Sequence, residues 1–141
     1  MARDTKLTHL SNVRLFSALS NRELVRIGRL AEEVKVPAGK VVVQEGASGH
    51  EFFLILEGQA TVRRNGRKVA TLGPGEYFGE LALLDRSPRN ATVESDTAMT
   101  LIVLGQREFS GLLDEIPGLA HKILRSMAAR LREADARAVT S

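Results

Sequence analysis

The sequence predicts a mainly β protein, a jelly-roll barrel with helices at both ends. Three observations lead there. Between Lys40 and Leu104 the chain breaks into short apolar and β-branched runs separated by glycine-bearing turns. Asn65-Gly66 sits between two such runs, a two-residue hairpin signal because both turn residues must adopt positive φ. Before and after this region the apolar residues recur at helical spacing instead.

Taken in order, residues 7–33 read as helical. Leu15, Phe16 and Leu19 form one apolar cluster, and Leu24, Ile27 and Ala31 continue it at steps of three and four. Ser20 or Asn21 suits the N-cap of the second helix here, with Glu23 in its first turn where a carboxylate favours the helix dipole. Pro37, Ala38 and Gly39 end the region, Pro by its fixed φ and Gly by its permissive one.

Strands are then expected at Val41–Val43, at Phe52–Leu56 up to Gly58, and, where Ala60 and Val62 alternate with Thr61 and Arg63, at Thr61–Arg64 paired through the turn with Lys68–Leu72. Two more follow at Ala91–Ser95 and Met99–Leu104. Helix returns at Arg107–Glu115, stopped by Pro117-Gly118. From Leu119 onward Ile123, Leu124, Met127 and Leu131 form an apolar stripe that persists into Ala134 and Ala138. Such a stripe packs on its own domain or pairs with a second copy of the chain, so a homodimer through the C-terminal helix is one expected partner.

The chain has 141 residues, 43% of them apolar and 26% charged, which suits one domain spanning 1–141 with its core at about 10–131. It has no cysteine, which excludes a disulfide framework and thiolate chemistry. The N-terminus lacks the apolar stretch of a secretory signal and no run approaches a membrane span, so a cytoplasmic location is expected. The net charge of +3 is scattered among interleaved acids, and aromatics amount to 4% with no tryptophan. Stacking platforms for nucleic acid are therefore not expected. His9, His50 and His121 form no pair with metal-ligand spacing, and no serine nucleophile motif is present, so neither a metal, a cofactor nor catalysis is expected.

One segment, residues 73–93, carries the chemistry. Its opening glycines approach a dinucleotide-binding loop, but Pro74 and the strand-rich surroundings do not suit the βαβ unit that loop requires. Gly79 permits a tight backbone turn, after which residues 80–83 have helical character for about one turn. The N–H groups at the start of that turn suit a phosphate oxygen. Pro88 fixes the approach of Arg89, whose planar fork suits a phosphodiester monoanion, while Glu80 can accept from a ribose hydroxyl. A carboxylate and a guanidinium facing each other across a small concavity describe a sugar-phosphate site. The plainer alternative is a rim salt bridge between Glu80 and Arg89.

The run Phe-Gly-Glu-Leu-Ala-Leu at 78–83, with Pro-Arg at 88–89 and Ala-Thr-Val at 91–93, resembles the phosphate-binding cassette of cyclic-nucleotide-binding domains. That family includes catabolite activator proteins, protein kinase A regulatory subunits and cyclic-nucleotide-gated channels. The stretches 15–20, 36–42, 44–49 and 53–58 are similar to its N-terminal entry and opening strands, so the resemblance runs from Leu10 to Leu131 in order and in register.

The resemblance implies roles for particular residues. Glu80 matches the acid that binds the ribose 2′-hydroxyl, Arg89 the arginine on the cyclic phosphate, and Gly79 the glycine that opens the cassette. Amides near Ala82 and Asn90 would complete the phosphate cradle. Leu81 and Asn90 are candidate base contacts, and Leu124, Ala128 and Leu131 are candidates for a lid that the last helix swings over the base. Asn90 departs from the commoner Ala, Ser or Thr. Its amide both donates and accepts, which leaves cAMP and cGMP open, with cAMP expected from its prevalence in the family.

The function expected on this basis is a stand-alone sensor of cAMP, or of cGMP, that signals to an effector protein through its C-terminal helices. A DNA-binding regulator would need a further domain after Ser141, and a channel would need membrane helices before Met1, so either would make this chain a fragment. The initiating Met and the polar tail from Arg137 favour a stand-alone protein. The remaining alternative is a degenerate domain that keeps the fold without a ligand and acts as an interaction scaffold.

Overall fold

The structure is a computed structural model. It describes residues 2–140, with side chains described at 6–129 and 131–133. Ala134 and Ala138, the far end of the expected stripe, lie outside the described side chains.

Helix α1 (Ala2–Ser11) leads through a 3-10 turn at Arg14–Phe16 to helix α2 (Asn21–Leu30). Of the two expected caps, Ser20 and not Asn21 caps α2: its Oγ accepts from the Glu23 amide while the Glu23 carboxylate accepts from the Ser20 amide, a reciprocal capping box. The strands are β1 (Glu32–Val36), β2 (Val41–Val43), β3 (Glu51–Glu57), β4 (Ala60–Arg64), β5 (Arg67–Leu72), β6 (Tyr77–Phe78), β7 (Thr92–Ser95) and β8 (Met99–Gly105). A 3-10 turn at Glu80–Leu83 lies between β6 and β7, and helices α3 (Gln106–Glu115) and α4 (Leu119–Thr140) close the chain. Among the described residues no helix is long and apolar enough to cross a membrane.

Helix was expected through Glu33, but Ala31 is already extended and β1 pairs antiparallel with β8 from Glu32↔Val103 to Val36↔Met99. The helical spacing stops at Ala31, and β1 buries only Val36, so an edge strand with a mostly charged face carries little apolar pattern of its own. β6 is two residues long and was not foreseen either. The Asn65-Gly66 hairpin is present, with φ of 54° and 78° at its two turn residues.

The strands form two antiparallel sheets, β1-β8-β3-β6 and β2-β7-β4-β5. The jelly roll is thus a pair of four-stranded sheets rather than a barrel closed by hydrogen bonds. Alternation along β3 divides the core in two. Phe52 and Leu54 join Leu15, Phe16, Phe109 and Ile123 on the helical side, while Phe53 and Ile55 join Phe78, Val93 and Leu101 between the sheets. The rings of Phe16, Phe52 and Phe109 meet at 5.8 and 5.9 Å and anchor the helical side.

Candidate functional site

The segment after β6 turns on Gly79, whose φ of +77° is a left-handed conformation natural to glycine. The Glu80–Leu83 turn follows as expected, with Ala82 and Leu83 buried. Leu83 packs into the helical-side core, while Gly79, Glu80 and Leu81 face an open cavity of about 470 Å³. That volume lies within the range of small-ligand sites.

Arg89 returns to the same cavity from the other end of the loop. Its backbone is clamped on both sides: its amide donates to the Ala47 carbonyl and its carbonyl accepts from the Gly46 amide, both at 2.8 Å. Arg64 Nε donates to the next carbonyl, that of Asn90, at 3.0 Å. The Arg89 side chain is 10% exposed. Its Nη2 donates to the Glu51 carbonyl at 2.9 Å, and the Glu51 carboxylate stands farther off at 3.9 Å. The guanidinium lies 5.7 Å from the centre of the Phe53 ring, which stacks on Phe78 at 4.9 Å. It also passes close to two glycines. A β-carbon on Gly49 would stand 2.0 Å from Arg89 Nε, and one on Gly79 would stand 2.6 Å from Nη1.

Burial pushes the Arg89 pKa down from its ordinary value, and the Glu51 charge opposes that shift. An arginine stays protonated through such a change, so the site holds a partly desolvated, oriented cation. Glu80 and Arg89, nine positions apart in sequence, line one concavity, as does Asn90. The arrangement offers a monoanion one guanidinium fork and offers hydroxyl groups a carboxylate acceptor.

These residues fall within a stretch, 33–115, that matches the family described as the cyclic nucleotide-binding domain. The chain belongs to that family. Over 105 residues it is 38% identical to the cAMP-dependent protein kinase regulatory subunit of Schizosaccharomyces pombe, covering 74% of this chain and 26% of that one. It is 37% identical over 126 residues to a cyclic nucleotide-gated potassium channel of Mesorhizobium japonicum, covering 89% of this chain and 35% of the channel. The chain spans only about a quarter to a third of the length of such curated relatives.

Among solved structures, the N-terminal domain of a transcriptional regulator from Streptomyces coelicolor superimposes with a TM-score of 0.84 at 31% identity, covering 92% of this chain and 93% of that one. The regulatory domain of Toxoplasma gondii PKA, solved with cAMP, gives 0.73 at 31% identity, covering 79% and 44%.

Within this cyclic nucleotide-binding domain, Gly79, Glu80, Leu81, Ala82, Arg89 and Asn90 all line the cavity. The Ala82 amide, expected in a phosphate cradle, donates to the Gly79 carbonyl at 3.0 Å and so closes the turn. The candidate lid residues are not brought to the site: Leu124, Ala128 and Leu131 are absent from the cavity lining, and Leu124 and Leu131 are 62% and 65% exposed. Helix α4 instead packs Leu119, Ile123 and Met127 on the helical core. Polar contacts hold it to the N-terminal segment: Lys122 Nζ to Glu23 at 2.8 Å, Arg14 Nη1 to Glu133 at 2.8 Å, and Ser126 to Ser17 at 3.2 Å. An apolar stripe specifies that a helix must be covered, and it does not specify by what.

Sequence reasoning missed Gly49, Glu51, Phe53 and Phe78 as the slot around Arg89, and Val62, Leu72 and Tyr77 as cavity wall. Glu51 lies 38 positions from Arg89. The one local signal was Gly49 itself, in a loop where a side chain would collide with the guanidinium.

Proposed function

We propose that this domain is a cyclic-nucleotide sensor that takes cAMP, with cGMP as the alternative ligand, and acts by binding rather than by catalysis or through a cofactor. The observation that carries the reading is the shared cavity of Glu80 and Arg89, in which the guanidinium is already buried and aimed. A cyclic phosphate is a monoanion and matches the single guanidinium, and the ribose hydroxyl matches the Glu80 carboxylate. Prearranging Arg89 lowers the ordering cost that a flexible surface arginine would meet on binding. The relatives named for cAMP and cyclic nucleotides support the same ligand class.

Signalling follows if ligand and α4 are coupled. Helix α4 lies away from the cavity, with Leu124 and Leu131 exposed one heptad apart on its surface. In this reading those residues either close over the base or pair with a second copy, and the output reaches an effector protein in the cytoplasm. A ligand shifts such an equilibrium only through its differential affinity for the two states.

Calorimetric titration with cAMP and cGMP tests the assignment. Wild type is expected to bind one of them saturably, and Arg89→Ala to weaken that binding by at least about tenfold, equivalent to about 1.4 kcal/mol. No binding of either nucleotide would leave the scaffold reading in its place. Sedimentation equilibrium with and without nucleotide, on wild type and on Leu124→Glu/Leu131→Glu, separates lid from dimer. A dimer lost in the variant supports pairing, whereas a monomer whose nucleotide affinity falls in the variant supports the lid.

A further inference from the structure

Two concavities away from the ligand cavity meet at Arg107. The first, about 390 Å³, lies between α2 and α3, over the buried Leu112, with Leu30 40% exposed beside it. Gly111 leaves it open, since a β-carbon there would meet nothing within 4 Å. The second, about 610 Å³, is lined by His50, Arg86, Gln106, Arg107 and Ser110 and by no carboxylate. Neither shares a residue with the ligand cavity.

The charge across this face is unbalanced. Arg26 is paired with Glu115 at 2.6 Å, and Glu108 is the other carboxylate lining the first concavity. Among the described residues Arg29, Arg86 and Arg107 belong to none of the ion pairs. Arg86 Nε donates to Gln106 Oε1 at 3.2 Å, which orients the guanidinium of this exposed residue and leaves its Nη groups outside that contact. Oriented guanidinium groups recognise carboxylates, and the apolar recess beside Leu30 accepts an aliphatic side chain.

We propose that this face docks a peptide segment of a partner protein that bears glutamate or aspartate with an aliphatic residue between them. A small inorganic anion would leave the apolar recess unused. A single-stranded nucleic acid would call for a series of aromatic platforms, and no phenylalanine, tyrosine or tryptophan lines either concavity. The position is suited to a partner: Arg86 lies three residues before Arg89 in the ligand loop, and α3 shares its packed core with Leu83 of the Glu80–Leu83 turn. The surface itself requires no nucleotide and stands apart from the ligand assignment.

The test is fluorescence anisotropy of a labelled short peptide of glutamates with leucine at helical spacing, titrated with the whole chain at low and at physiological salt. Saturable binding is expected, weakened by salt and by at least about tenfold in Arg86→Gln/Arg107→Gln. The control, Arg22→Gln/Arg67→Gln, removes the same charge elsewhere on the exposed surface and is expected to keep wild-type affinity. Absence of saturable binding at low salt overturns the proposal, and so does an equal loss in the control, which would reduce the face to general basic charge. Calorimetry with cAMP on Arg86→Gln/Arg107→Gln is expected to match wild type, and a loss there would move Arg86 into the ligand site and overturn the separate surface. If wild type takes up the peptide selectively but no nucleotide, the sensor reading falls while the docking surface stands.

Discussion

The two faces of the sheet that contains β3 do different work. On the helical side Phe16, Phe52, Phe109 and eleven leucines and isoleucines, each at most 3% exposed, close around one another. Between the sheets the core is smaller, and near Phe53 and Phe78 it gives way to the cavity that holds the Arg89 guanidinium. Stability is concentrated on one side and recognition on the other. The Glu80–Leu83 turn joins them, with Leu83 in the helical core and Glu80 and Leu81 at the cavity. A ligand that moves the turn therefore acts directly on the packing of α3, and through α3 on α4.

The sharpest way to break this division is to remove a large side chain from the helical side. Phe16 has no exposed surface and touches two other rings. Phe16→Ala is expected to cost about 3–5 kcal/mol of unfolding free energy by creating a cavity where three elements meet. Urea unfolding measures it, and a loss under about 1 kcal/mol would mean that this core is not the main source of stability.

On the recognition side the corresponding change is Gly79→Ala. The left-handed φ costs an alanine about 1–2 kcal/mol. The new β-carbon would also stand 2.6 Å from Arg89 Nη1 and 2.9 Å from the Glu51 carbonyl, so the guanidinium must leave its slot. Nucleotide affinity is expected to fall by at least about tenfold, a larger share of function than of stability. Combining it with Arg89→Ala sharpens the point: if Gly79 acts through Arg89, the double variant binds no worse than Arg89→Ala alone.

The features legible in the sequence were those whose cause is local. Ser20 and Glu23 cap a helix three residues apart, Asn65-Gly66 forces a hairpin, and Gly79 opens a turn, each within a few positions of its effect. Glu80 and Arg89 were legible because nine residues and one loop hold both. What escaped depended on distant partners. β1 became a strand through β8, and Glu51 became the neighbour of Arg89 across 38 positions. Lys122 met Glu23 across 99. The stripe on α4 was read correctly as a helix face, but the surface it covers is set by tertiary contacts that the spacing does not encode.

Smaller effects test the clamp between α4 and the N-terminal segment. Ser20→Ala removes half of the capping box and is expected to cost about 1 kcal/mol. A loss of cap alone leaves the acid sensitivity of the fold nearly intact, because the Lys122 contact to Glu23 remains.

That contact gives the last and smallest prediction. The hydrogen bond from Lys122, followed by that from the Ser20 amide, holds the Glu23 carboxyl below the usual carboxylate range, with burial opposing. A carboxyl whose folded pKa lies below its unfolded value binds fewer protons folded than unfolded. Its contribution is therefore complete above the ordinary carboxylate range and lost as pH falls through the lowered folded value. Lys122→Gln removes the largest cause of that depression. Thermal unfolding from neutral pH down through the carboxylate range is expected to show the variant slightly less stable than wild type at neutrality and the two curves converging in acid. Parallel curves would mean that Lys122 steadies α4 through packing of its aliphatic stem and not through the charge on Glu23.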